Sequence, residues 1–132
     1  MPSDPSLART QGSSDHLTVG RVGERAAELA YVRRGYRILA RNWRCRIGEL
    51  DLVVSRGDVV AFCEVKTRRG GRYGDPWQAV DARKQAKLRS LAQAFVIASR
   101  VRPSRMRFDV ASVTVARGPR GDAVVRVFED AF

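Results

Sequence analysis

Residues 49–67 read ELDLVVSRGDVVAFCEVKT. Two apolar, β-branched runs, 49–55 and 59–67, flank Arg56-Gly57-Asp58, and a Gly/Asp turn between two such runs predicts an antiparallel hairpin. The second run stays apolar on both faces until Glu64, as expected of a strand buried in mid-sheet. Side chains two apart on a strand share a face, so Glu64 and Lys66 are predicted to point the same way. Hairpin pairing brings Asp51, on the first strand, within a few ångströms of Glu64. Glu49 shares the face of Asp51.

Upstream, Thr18 is a candidate cap for a helix over about 19–34, with Val22, Ala26, Leu29, Ala30 and Val32 as an apolar stripe and Gly35 as its stop. Residues 36–44 read as a strand. Residues 1–17, rich in Ser, Pro and Asp, read as a disordered tail preceding a domain over 18–132. Downstream, 68–75 is a Gly/Arg loop and Asp75-Pro76 opens a helical turn over about 76–80. Asp81 caps a helix over about 82–99 that turns Leu88, Leu91, Ala92, Phe95 and Val96 inward. Residues 107–116 and 123–129 are two more strands around a Gly-Pro-Arg-Gly turn. The order α-β-β-β-α-β-β predicts an α/β or α+β sheet flanked by helices.

Composition narrows the chemistry. The 132 residues hold two cysteines and one histidine, which excludes a disulfide scaffold, a four-cysteine zinc site, His-rich metal sites and a serine–histidine triad. No apolar run is long enough to span a membrane and no apolar signal core opens the chain, so the expectation is a cytoplasmic protein with free thiols at Cys45 and Cys63, the latter on the sheet face opposite Glu64. Trp43 and Trp77 read as core anchors. The net charge is +11, with 25 Lys and Arg against 14 Asp and Glu. A small domain this basic is expected to meet a polyanion, nucleic acid above all; a ribosome-associated or merely basic protein is the bland counterpart.

The charge is unevenly placed. Residues 18–47 carry eight Arg against Glu24 and Glu28, and residues 67–107 carry eleven cations against Asp75 and Asp81. Between them, Glu49, Asp51, Asp58 and Glu64 outnumber Arg56 and Lys66. A surface that only gripped phosphate would gain nothing from that acidic island, whereas carboxylates that hold a hard divalent cation against a phosphodiester require it. On this reading Asp51 and Glu64 are metal ligands, with the Val65 backbone carbonyl as a neutral oxygen donor. Lys66 orients or helps deprotonate the attacking water, or stabilises charge developing on phosphate. Glu49 is a supporting or alternative ligand, or a charge partner for a nearby Arg. The plain alternative is a cross-strand salt bridge between Lys66 and a carboxylate at a sheet edge, and for Glu24 an exposed ion pair on the helix face with Arg21 or Arg25. Arg68, Arg69 and Arg72 with Tyr73 can clamp a nucleic-acid backbone and stack a base, and Lys84 and Lys87 can reach phosphate.

A set of spaced motifs carries a resemblance. Gly23-Glu24-Arg25-Ala26-Ala27, Gly35-Tyr36, Arg41-Asn42-Trp43-Arg44, Gly48-Glu49-Leu50-Asp51-Leu52 and Glu64-Val65-Lys66-Thr67-Arg68 resemble the YraN family of predicted nuclease-like proteins. Gly74-Asp75-Pro76, Ala79-Val80, Lys84, Arg107-Phe108-Asp109-Val110 and Ala131-Phe132 continue the match, which spans about residues 20–132. That family is similar to the PD-(D/E)XK nucleases and, within them, to archaeal Holliday-junction resolvases. The resemblance implies a restriction-endonuclease-like fold, a mixed five-stranded sheet flanked by helices. It implies Mg²⁺, replaceable by Mn²⁺, at Asp51 and Glu64, Lys66 as the catalytic lysine, and Glu24 as a helix carboxylate completing or supporting the site. Leu50 stands where the superfamily motif has its proline. Hydrolysis of branched or structured DNA by a homodimer is what likeness to resolvases implies. The competing readings are a non-catalytic nucleic-acid-binding module and a basic interaction protein of ribosome or replication machinery.

Overall fold

The computed structural model describes residues 15–70, 80–116 and 122–132. Its elements are helix α1 (Asp15–Arg33), strands β1 (Arg37–Arg44), β2 (Glu49–Arg56) and β3 (Val59–Arg69), helix α2 (Ala82–Ser99), and strands β4 (Arg105–Val115) and β5 (Ala123–Phe128). The five strands form one sheet whose spatial order is their chain order. Only the β3–β4 contact is parallel, because α2 is the crossover between those strands; the other three pairs are antiparallel. The sheet is therefore mixed, as expected, and the order of elements is the one anticipated.

The two faces of the sheet carry separate cores. Alternation along β2 and β3 sends Leu52, Val54, Ala61 and Cys63 to one face, where Ala27 and Tyr31 of α1 pack with Ala111 and Val113 of β4. Val53, Val60 and Phe62 go to the other face, beneath Leu88, Leu91, Ala92 and Phe95 of α2. Trp43 meets Phe95 edge to face at 5.3 Å, a core position as expected. Both cysteines are free, and Cys63 lies in the α1-side core.

Local signals explain the boundaries. The hairpin register runs to Arg56↔Val59, so Gly57-Asp58 is a two-residue loop, and Gly57 supplies the positive φ (58°) it needs. The Asp81 side chain accepts the Lys84 amide N–H at 2.9 Å, the N-cap bond expected for α2. Two expectations need correction. Helix α1 begins at Asp15 rather than after a cap at Thr18; residues 16–19 contain neither Gly nor Pro, so nothing in the backbone stops the helix there. Strand β3 continues to Arg69, so Arg68 and Arg69 are strand residues rather than loop: pairing with Thr114 and Val115 of β4 carries the ladder two residues further. The tail before Asp15, the turn over 76–79, Trp77 and the Gly-Pro-Arg-Gly turn lie outside the described residues.

One irregularity positions the site. The β2–β3 ladder ends at Leu52↔Cys63, yet β2 starts at Glu49 and β3 runs on to Arg69. Residues 49 and 50 pair only with β1, and residues 64–69 pair only with β4. The middle of the sheet thus forks. At the fork the alternation of β2 also breaks: Leu50 joins the α2-side core whereas Leu52 joins the α1-side core.

Candidate metal and phosphate site

Asp51 sits at the crotch of the fork. With β2 turning away, the Val65 amide has no β2 carbonyl to meet, and it donates to Asp51 Oδ2 at 2.8 Å. The N–H and C=O of one strand residue face the same edge, so the Val65 carbonyl also faces the fork. Glu64, on the facing prong, is 8% exposed. Its Oε2 receives two ammonium groups, Lys66 Nζ at 3.5 Å from its own strand and Lys84 Nζ at 3.1 Å from the first turn of α2. Glu49, Asp51 and Glu64 line one cleft of about 190 Å³ with Lys84, Lys87 and Leu91. The convergence of Asp51, Glu64 and Lys66 predicted from the hairpin is therefore present.

The electrostatics of the cleft are lopsided. The Asp51 carboxyl is pushed up from 3.8 to about 7, first by burial and then by the charge of Glu64; the Val65 amide opposes this, and Glu24 and Glu49 add to it. Glu24 acts from the α1 side, where it accepts a 3.4 Å hydrogen bond from Asn42 Nδ2. Its neighbour Glu28, one turn on, is the carboxylate that pairs with an arginine, Arg41, at 2.8 Å. Glu49 pairs with Arg44 at 3.2 Å, the charge partnership foreseen for it, while also lining the cleft. Among the described residues no three His, Cys, Asp or Glu side chains converge as a metal-holding group. The carboxylate donors facing each other across the fork are the pair Asp51 and Glu64, with Glu24 and Glu49 held back by Asn42 and Arg44. Two carboxylates suit Mg²⁺, which keeps most of its waters and takes one or two protein carboxylates plus substrate phosphate. The donors present fit such an ion, and the crowding that raises Asp51 is the charge it would offset.

Lys84 and Lys87, read as phosphate contacts, form the α2 wall of this cleft. Arg68 and Arg69 extend β3 beyond Lys66. Arg72 and Tyr73 lie outside the described residues. Glu24 is brought over the fork because Gly23 lets α1 settle on β3: a Cβ there would overlap the Thr67 side chain.

Sequence reasoning missed two features. Asn42 takes a left-handed backbone (φ 48°) inside β1, between the pairs Arg41↔Leu52 and Trp43↔Leu50, and turns its amide toward Glu24. An Asn amid strand residues was the available signal, since Asn is scarce in strands and tolerates that conformation. The second is a buried charge cluster on the α1 side of β4. Fully buried Asp109 accepts from Tyr31 Oη (2.6 Å), Arg107 Nε (2.9 Å), Arg107 Nη2 (2.8 Å) and the Asp130 amide (3.0 Å). Arg107 Nη2 also donates to Tyr36 Oη at 2.9 Å. Burial and the nearby Cys63 and Asp109 push the Tyr31 hydroxyl up, and burial raises the Cys63 thiol, leaving that thiol unreactive. This cluster ties α1, β4 and the C-terminal residues together and is structural.

No helix among the described residues is long and apolar enough to cross a membrane. Residues 23–113 match the model of a family described as "Uncharacterised protein family UPF0102", a span that includes Glu24, Asp51, Glu64, Lys66 and Lys84. A UPF0102 protein of Symbiobacterium thermophilum is 47% identical over 114 residues, covering 86% of this chain and 95% of its own. One from Clostridium tetani is 37% identical over 120 residues, covering 91% and 98%, and one from Frankia alni is 46% identical over 114 residues, covering 86% and 93%. With these relatives aligned along nearly their whole length, and the fork, its two carboxylates and its lysines inside the matched span, the chain belongs to the UPF0102 family.

Proposed function

We propose that this protein is a divalent-cation-dependent nuclease-like enzyme of the PD-(D/E)XK kind that hydrolyses phosphodiester bonds in DNA, branched or structured DNA being the substrate its resemblance favours. The observation that carries this reading is the sheet fork, where half-buried Asp51 and buried Glu64 face one cleft beside Lys66 and Lys84. Asp51 and Glu64 would hold Mg²⁺, with the Val65 carbonyl facing the same opening. Bound there, the ion would supply Lewis-acid polarisation of the phosphate and a lowered pKa for the attacking water. The chain's own groups do the rest. The Val65 amide fixes the Asp51 carboxylate. Lys66, held on the Glu64 face, is placed to orient water or to stabilise charge building on the phosphate. The net charge of +11 draws a polyanion to an opening lined by carboxylates and lysines together.

A second reading has one observation in its favour: two ammonium groups already neutralise Glu64, as in a closed ion-pair cluster of a non-catalytic nucleic-acid-binding module. Single-turnover assays on labelled branched, single-stranded and duplex DNA with Mg²⁺, Mn²⁺ or EDTA separate the two. The enzyme reading expects metal-dependent cleavage by the wild type, abolished in Asp51→Asn and Glu64→Gln. It expects Lys66→Ala to slow cleavage by about 10²-fold or more, the usual scale for one positioned acid–base or electrostatic group. Binding without cleavage of any substrate would favour the module, and equal cleavage by Asp51→Asn would place the activity elsewhere.

A further inference from the structure

Lys84 is the least expected member of the cleft. It stands in the first turn of α2, with its amide on the Asp81 cap. A cation in that turn opposes the helix dipole, and the acidic group beside it, Asp81, is committed to capping the backbone. The Lys84 ammonium itself reaches out of the helix to Glu64 Oε2. That oxygen already faces the ammonium of Lys66, so two like charges share one acceptor. The two lysines are not equivalent. Lys66 leaves the same strand two residues after Glu64 and stays on its face. Lys84 reaches across from another element on a flexible four-carbon stem, and its side chain is 41% exposed, against 32% for Lys66. Glu64 Oε2 already meets two ammoniums, and a divalent cation brought against the same oxygen would crowd three positive groups on it unless an ammonium departs.

We infer that the Lys84 ammonium occupies the divalent-cation position against Glu64, that metal entry displaces it, and that the freed side chain swings out along the cleft wall beside Lys87 to meet the substrate phosphate. This inference rests on the metal-dependent reading above. It makes Lys84 a built-in competitor of the metal: cation exchange at Glu64 couples metal loading to exposure of a phosphate-binding group. No covalent step is involved.

The chain has only three lysines, Lys66, Lys84 and Lys87, so each side-chain ammonium signal can be assigned by single substitution. Two measurements on the full chain test the exchange. In calorimetric Mn²⁺ titrations without DNA, Lys84→Gln binds about five- to tenfold more tightly than the wild type. Arg83→Gln, which makes the same charge change at an exposed neighbour, stays within about twofold, and Glu64→Gln loses binding. In ¹³C,¹⁵N spectra, Mg²⁺ moves the Lys84 signal to its position in Glu64→Gln while Lys87 shifts little. If wild type and Lys84→Gln bind Mn²⁺ equally, or Lys84→Gln binds more weakly, or Mg²⁺ binds without moving Lys84, the exchange is refuted and the metal site stands. If the folded wild type binds neither ion, the exchange and the metal-dependent reading fall together.

Discussion

Two buried or half-buried aspartates lie a few residues from the midline of this sheet, and the chain treats them oppositely. Asp109 receives four hydrogen bonds, two of them from the Arg107 guanidinium, and its charge is matched inside the fold. Asp51 receives the Val65 amide and is surrounded by the charges of Glu64, Glu24 and Glu49. A satisfied buried carboxylate ties elements together, whereas a carboxylate crowded by others is a cost that stability alone does not justify. The difference separates scaffold from candidate site: β4 carries the tie, and the forked β2–β3 edge carries the crowded Asp51.

The largest effect expected from breaking this contrast is at Asp109. Asp109→Ala leaves buried Arg107 with only the more distant Glu129 carboxylate, at 3.7 Å, which should cost about 3 kcal/mol, read as a drop of roughly ten degrees in melting temperature. Replacing both partners with apolar residues, Arg107→Met with Asp109→Leu, should recover much of that loss, because no charge is then left unpaired. A harmless Asp109→Ala would show that the cluster does not hold α1 and the C-terminal residues to β4.

Asp51 should behave in the opposite sense. Its folded pKa is raised from 3.8 to about 7, so the folded state binds a proton the unfolded chain releases, and stability from this group is lost as pH rises between about 4 and 7. Asp51→Asn should therefore stabilise the metal-free protein at pH 8 by on the order of 2 kcal/mol and have little effect below pH 4. Thermal melts across that range check the sign; destabilisation at pH 8 would refute the crowding. A smaller effect comes from Tyr31→Phe. It removes one of the Asp109 donors while Arg107 still serves the same oxygen, so urea unfolding should show a loss of about 1 kcal/mol.

The regions also differ in how legible they were in the sequence. The hairpin, α2 with its Asp81 cap, and the facing of Asp51 and Glu64 follow from local periodicity and turn chemistry, which neighbouring residues fix. The Asp109 cluster does not, because its donors come from residues 31, 107 and 130, which only the fold brings together. A clue was present in RFDVASV (107–113), where strand alternation puts Arg107 and Asp109 on the face of buried Ala111 and Val113. The pairing of Lys84 with Glu64 was also hidden, since a lysine in a first helical turn looks like surface charge until α2 is laid across the fork. The extension of β3 through Arg68 and Arg69 depends on β4, about 45 residues away in the chain, and Arg-Arg-Gly-Gly by itself reads as loop.

The central claim is that Asp51 is crowded by neighbouring carboxylates because a divalent cation belongs beside it. It is tested most directly by the melting temperature of the wild type and Asp51→Asn at pH 8, with and without excess Mg²⁺. A ligand that binds only the folded state at tenfold its dissociation constant stabilises by about 1.4 kcal/mol. The account predicts a wild-type melting temperature that rises by several degrees with Mg²⁺ and an Asp51→Asn melting temperature that is higher without metal and unmoved by it. A wild type indifferent to Mg²⁺, or an equal rise in both proteins, would contradict it.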